Sequence, residues 1–273
     1  MMETVNREAY GAAADKLAEF SASADVQKIS SVADETLAVA ELLRREPRLR
    51  RALADPARSA EDRSQLISSI LSGKVGDETL TLLSALVGGR WSGPGALLDG
   101  VERLGVDALL SAADQAGELA EVEDELFRFG QVVSGDPRLA AALADSTAPL
   151  ASRQELVRDL VDGKVKPATF SLAQLALAGF GGRGFDSSLS RLVELAAAKR
   201  NRSVAHVTTA VALTGEEEDR LAGRLAELYG REVSLKIDID PRIIGGMRVQ
   251  VGSDLYDGTV ARRLAEARTA LAK

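Results

Sequence analysis

The chain has 273 residues, enough for one large or two ordinary domains with a sizeable core. Its formal net charge of −7 argues against a binder of nucleic acid or of an anionic membrane surface, since both need a basic face. There is no cysteine, which excludes disulfides, thiolate metal sites and cysteine nucleophiles, and aromatics make up only 4%, which favours helices packed through alanine and leucine.

No apolar run approaches the roughly 18 residues that a membrane span needs. The opening stretch MMETVNREAY carries no apolar core of the signal-peptide kind. The expectation is a soluble cytoplasmic protein whose membrane association comes only through partners.

Residues 3–20 read as an opening helix with Tyr10, Ala13, Leu17 and Phe20 along one side. An internal repeat follows. PRLRRALAD from Pro47 matches PRLAAALAD from Pro137, and the register continues through Arg63 and Arg153, Gly73-Lys74-Val75 and Gly163-Lys164-Val165, and Thr79 and Thr169, to Leu82 and Leu172. Leu66, Ile67, Ile70 and Leu71 reappear as Leu156, Val157, Leu160 and Val161, the same apolar helix face in both copies.

The first copy parses into helices near 26–45, 48–54, 60–72, 77–88 and 95–115, and the second near 120–133, 138–144, 150–161, 167–179 and 186–200. Glycine and proline supply the breaks, at Pro56, Gly73, Gly93-Pro94, Pro137, Gly163, Pro167 and Gly179. Arg50, Arg51 and Arg58 become Ala140, Ala141 and Ala148, so the outer faces have diverged, through drift or because the copies meet different partners.

From residue 203 the pattern changes to a strand over 203–213, then a helix over 215–229 started by a Thr214/Glu217 capping box and ended by Gly230. Val233, Leu235, Ile237 and Ile239 alternate with polar residues as a half-buried strand does, and Pro241 ends that strand. Gly245-Gly246 permits a tight approach, Met247, Val249 and Val251 alternate again, and Gly252-Ser253-Asp254 turns the chain into a short edge at Leu255-Tyr256. Asp257-Gly258-Thr259 leads into a closing helix with Val260, Leu264, Ala267 and Leu271 on one stripe. The predicted fold class is mainly α, a duplicated helical bundle followed by a small α/β C-terminal domain. Residues 1–115 form the first bundle, 116–202 the second and 203–273 the C-terminal domain.

No residue set converges on chemistry. His206 is the only histidine, lies in a predicted strand and has no nucleophile motif beside it. The glycine-rich stretches at 88–95 and 179–184 follow helices rather than strands and do not continue into Gly-Lys-Ser/Thr, so a phosphate cradle is missing. Glu121, Glu123, Asp124 and Glu125 are adjacent along a helix and so point around it instead of converging on a metal. Trp91, the sole tryptophan, reads as a cap on the first bundle, with a partner contact as the alternative. No catalytic residue, cofactor or metal is expected.

The C-terminal segment, with Asp240, Gly245-Gly246, Gly252, Asp257-Gly258-Thr259-Val260 and Arg263-Leu264, resembles the signature of the delta subunit of F-type ATP synthases, the bacterial counterpart of the oligomycin-sensitivity-conferring protein. Tyr10-Gly11-Ala12-Ala13 fits that family's opening helix in part. The chain looks like a long variant with its bundle duplicated. The resemblance implies a non-catalytic stator subunit at the cytoplasmic face of the cell membrane. Its bundle would grip the N-terminal helices of the alpha subunits through Tyr10, Ala13 and Leu17, and its C-terminal domain would hold the b subunit through Val260, Leu264 and Leu271. Two other classes fit the sequence less well. A generic helical-repeat scaffold leaves the Asp257–Val260 segment unexplained, and a small-molecule enzyme lacks reactive groups.

Overall fold

The computed structural model describes residues 4–202, 204–229, 233–240, 242–251, 254–260 and 262. The chain divides into two compact units, Met1–Ala196 and Ala197–Lys273. The fold is mainly α with a small α/β part at its C-terminal end. Gly230, Pro241, Gly252, Ser253 and the closing helix beyond Arg262, with Leu264, Ala267 and Leu271, lie outside the described residues.

Unit 1 is helical. Its first elements are α1 (Thr4–Ser23), α2 (Val26–Arg45), α3 (Pro47–Leu53), α4 (Ala60–Leu71), α5 (Asp77–Gly88) and α6 (Pro94–Gln115). Then come α7 (Leu119–Gly135), α8 (Pro137–Ala144), α9 (Leu150–Val161), α10 (Pro167–Ala178), a single 3-10 turn (Phe180–Gly182) and α11 (Phe185–Arg202), which runs on past the unit boundary. The repeat face read from sequence is buried as expected: Ile67 and Leu71 in α4, and Val157 and Val161 in α9, enter the core. Gly117, in the left-handed region at φ 72°, separates α6 from α7.

Equivalent polar ties recur in the two copies. Glu35 Oε2 in α2 accepts from the Gly76 N–H at 2.9 Å and the Thr79 hydroxyl at 2.5 Å, which satisfies the free N-terminus of α5. Glu125 Oε2 in α7 accepts from the Lys166 N–H at 2.9 Å and the Thr169 hydroxyl at 2.5 Å, and does the same for α10. The copies differ at the other end of the α4/α5 pair. Arg63, buried in α4, donates to the carbonyls of Val87, Gly88, Gly89, Asp55 and Arg58. Its counterpart Arg153 donates to the carbonyl of Leu143.

The repeat also reaches further back than the sequence match. Helix α1 starts at Thr4 and α6 at Pro94, ninety residues apart, and α6 in turn precedes α11 by ninety-one. Helix α1 lies against α5 and α6, and α6 lies against α10 and the 3-10 turn. Each uses a buried side chain to hold the segment after its partner helix. Asn6 Oδ1 accepts from the Ser92 N–H at 2.9 Å, and Glu102 Oε2 accepts from the Gly181 N–H at 2.7 Å. Helix α6 therefore closes the first six-helix arrangement and opens the second, and residues on every side of it are buried.

Unit 2 contains β1 (Val204–Thr209), α12 (Gly215–Tyr229), β2 (Ser234–Ile239), β3 (Met247–Val251) and β4 (Asp254–Asp257). The sheet order is β2-β1-β3-β4, with β1 and β2 parallel across α12 and the other pairs antiparallel. Its core is Ala205, Val207, Leu225, Val233, Val249 and Val251. Strand β1 stops at Thr209, short of the predicted 203–213, because its ladder partners Ile239 and Met247 end the pairing there. The Thr209 hydroxyl then donates to the Val211 carbonyl at 2.6 Å and turns the chain. Thr214 and Glu217 form the expected capping box, with Glu217 Oε2 accepting from the Thr214 N–H and Thr214 Oγ1 accepting from the Glu217 N–H.

Candidate interaction surfaces

The residues singled out on α1 face inward. Ala13 and Leu17 are buried in the core of unit 1. Tyr10 is half-buried and its hydroxyl donates to Asp107 Oδ2 at 2.6 Å, while Arg103 Nε reaches the other carboxylate oxygen at 2.9 Å. Burial, and then the Asp107 charge, push the Tyr10 hydroxyl well above its ordinary pKa of 10.0. These three side chains fix α1 onto α5 and α6. Trp91 is also buried, with its indole N–H donating to the Leu86 carbonyl at 2.9 Å. It sits over Gly100 in α6, where a Cβ would come within 2.2 Å of its ring.

The crowded carboxylates of α7 are engaged separately. Glu121 pairs with Lys166, Asp124 with Arg128, and Glu125 caps α10. They point to different neighbours, as adjacent helical positions must.

In unit 2 the signature residues knit one junction. Gly245 and Gly246 adopt φ of 75° and 81°, a region that favours glycine. This brings their backbone against the Asp257–Val260 segment, where the Gly258 N–H donates to the Met247 carbonyl at 3.0 Å and the Val260 N–H to the Gly245 carbonyl at 3.2 Å. Asp257 Oδ1 accepts from the Thr259 hydroxyl at 2.7 Å and the Thr259 N–H at 3.1 Å, and these bonds hold its carboxyl below the usual pKa. Asp240 grips Arg242 through both carboxylate oxygens and accepts from its N–H. The spacing that marks the segment in sequence thus has a structural cause: a glycine pair and an Asp-Gly-Thr step press backbone on backbone.

A Cβ on Gly246 would lie 2.5 Å from the Gly258 carbonyl oxygen, a backbone atom that cannot swing aside. Gly246→Ala is therefore expected to destabilise unit 2 by about 2–4 kcal/mol, from steric overlap added to a left-handed backbone. Hydrogen exchange of the β1 and β3 amides would report it, and unchanged protection would refute the packing role given to this glycine.

Large apolar side chains stand exposed around that junction. Ile244 is 73% exposed and Val260 39%, and Leu255 and Tyr256 on the β4 edge are similarly open. The Tyr229 hydroxyl braces the same edge, donating to Asp254 Oδ2 at 3.0 Å and lying 3.1 Å from the Tyr256 hydroxyl. Val260 lies on the apolar stripe that the sequence predicts, whereas the exposed Ile244 belongs to no repeating stripe and carries no sequence signal.

Comparison with known sequences agrees with these motifs. The sequence profile of the ATP synthase delta (OSCP) subunit matches residues 14–91 and 106–271. The ATP synthase subunit delta of Salinispora arenicola is 58% identical over 273 residues, covering all of both chains. That of Streptomyces griseus is 43% identical over 271 residues, 99% of this chain and all of the other. One chain of the cryo-EM structure of the Toxoplasma gondii mitochondrial ATP synthase hexamer is 18% identical, with a TM-score of 0.35, and the match covers 62% of this chain and 95% of that one.

Proposed function

We propose, from the premise that this chain belongs to the ATP synthase delta (OSCP) subunit family, that it is the stator link between the catalytic head and the peripheral stalk. Unit 1 holds the N-terminal amphipathic helices of the alpha subunits, and α1, fixed by Tyr10, Ala13 and Leu17, forms part of that contact. Unit 2 holds the b subunit through the signature junction, with Val260, Leu264 and Leu271 in the contact.

The observation that carries this reading is the set of exposed apolar side chains around the hydrogen-bonded junction, Ile244 and Val260 among them. A rotor turning inside the head exerts a reaction torque, and coupling survives only if something ties the head to the membrane-held stator. Such a tie needs slow dissociation, which apolar contacts on a preorganised surface provide. No described helix is long and apolar enough to cross a membrane. In this reading the membrane attachment is supplied by partners at the cytoplasmic face. The role is non-catalytic and needs no cofactor or metal.

The test is the full chain carrying Ile244→Asp together with Val260→Asp. On gentle purification of the synthase, the b subunit is expected to separate while the alpha contact persists, and ATP hydrolysis is expected to continue without proton pumping. Retention of b with full coupling would remove the unit 2 assignment.

A further inference from the structure

We propose that the pocket between the end of α3, the turn that follows it and the start of α6 binds a phosphate group, presented by inorganic phosphate or by a nucleotide, with Arg51 and Arg58 as its ligands. The assignment does not rest on the stator contacts proposed above.

The charge pattern singles out this place. From Arg44 to Arg58 the chain holds six arginines against two acids, in a protein whose net charge is −7. The equivalent stretch of the second copy, residues 134–148, holds one arginine against two aspartates. Positive charge so concentrated on an acidic protein focuses a field that attracts anions. Internal partners do not use it up. Glu41 engages Arg44 and Arg45, but Arg51 has no side-chain partner among the described residues. Arg58 Nε comes only within 3.9 Å of Asp55 Oδ2, and Asp55 Oδ1 already accepts from the Ala57 N–H at 2.9 Å.

Arg51 and Arg58 line one pocket of about 490 Å³, a volume suited to a small molecule. Pro56, Pro94 and Trp91 supply apolar walls, beside which a charge-assisted hydrogen bond is less screened than in open water. The Trp91 indole N–H is taken by the Leu86 carbonyl, so its ring is a wall and not a donor. Helix α6 starts at Pro94 with no side chain capping it, and its positive end adds to the arginine charge. A guanidinium fork gives two parallel N–H bonds to two oxygens of a phosphate, and a phosphate dianion balances two such groups. The glycine-rich stretch at 88–95 lacks the backbone cradle of a phosphate loop; this pocket uses side chains instead. In the second copy Ala141 and Ala148 replace both arginines, so the divergence between the copies has a cause other than drift.

The test titrates the full chain, whose sole tryptophan is Trp91, and reads its intrinsic fluorescence at constant ionic strength. Inorganic phosphate and ATP are each expected to change the signal saturably at millimolar concentration or below, and adenosine to leave it unchanged. ATP binding no tighter than phosphate assigns the site to the free ion, and tighter ATP binding assigns it to a nucleotide. Arg51→Ala together with Arg58→Ala is expected to weaken both at least tenfold. Arg138→Ala together with Arg158→Ala, which removes the same charge from exposed positions of the second copy, is expected to leave both within about twofold.

Absence of a saturable response, an equal response to adenosine, or equal weakening by the two double variants would each overturn the proposal. So would a melting temperature for the Arg51 and Arg58 double variant well below wild type, since it would show both side chains engaged in the fold and not free for a ligand.

Discussion

Glu102→Ala is expected to lower the stability of unit 1 by about 2–3 kcal/mol, measured by urea denaturation with helix content as the signal. Glu102 is 1% exposed and makes two ties: Oε1 accepts from Arg44 Nη2 at 2.5 Å, and Oε2 accepts from the Gly181 N–H at 2.7 Å. Removing it leaves a buried N–H without its acceptor and a void where the carboxyl packed. Arg44 is not orphaned, since Glu41 Oε2 stays 2.7 Å away, so the cost falls below that of stranding a buried charge.

The same residue predicts a pH dependence with a definite sign. Burial is the largest influence on the Glu102 carboxyl and raises its pKa above the ordinary 4.5, opposed by the Gly181 N–H and Arg44. An acid with a raised folded pKa binds more protons folded than unfolded in the window between the two values, so stability falls as pH climbs through it. The advantage of wild type over Glu102→Gln is therefore expected to be fullest at and below pH 4.5 and to shrink as pH rises through the raised value. A wild-type advantage that grew with pH would refute the assignment.

How much of this was legible in the sequence depends on the range of each interaction. The helix faces of α4 and α9 were readable because burial follows a 3.6-residue period and the two copies repeat it, Ile67 and Leu71 becoming Val157 and Val161. The Gly245-Gly246 and Asp257-Gly258-Thr259 steps were readable as a signature, and the structure supplies their cause in backbone contact. The double duty of α6 was not readable. Tyr10, Ala13 and Leu17 of α1 correspond to Gly100, Arg103 and Asp107 of α6, and the identities that survive at this spacing, Ala18 with Ala108, Ser21 with Ser111 and Ala22 with Ala112, are small residues that mark no shared apolar face. Only packing shows it.

Nor could spacing reveal that Gly100 and Gly105, unfavourable inside a helix, make room for Trp91 and Leu37. The Glu102 tie to Gly181 spans 79 residues and leaves no local pattern. At the site level, periodicity marks an apolar stripe without saying what covers it. The exposed Ile244 sits in a loop where no period applies.

Leu17→Asp is expected to cost unit 1 about 4 kcal/mol or more, because it places a carboxylate where Leu17, 3% exposed, packs among the core residues of unit 1. For a unit of this size that corresponds to a fall of roughly 10 °C in melting temperature, read by circular dichroism at 222 nm. Loss of alpha-helix binding by this variant would then report unfolding rather than a surface contact.

The outer face of α1 separates the two causes, since Ala12 and Lys16 are exposed one turn or less from Ala13 and Leu17. Ala12→Asp and Lys16→Glu are expected to change stability by no more than about 0.5 kcal/mol. If they weaken titration of an alpha N-terminal peptide while melting like the wild type, α1 presents its outer face to the partner and its inner stripe serves as the hinge pin. Wild-type melting for Leu17→Asp would overturn the burial of the inner stripe and return Leu17 to the interface.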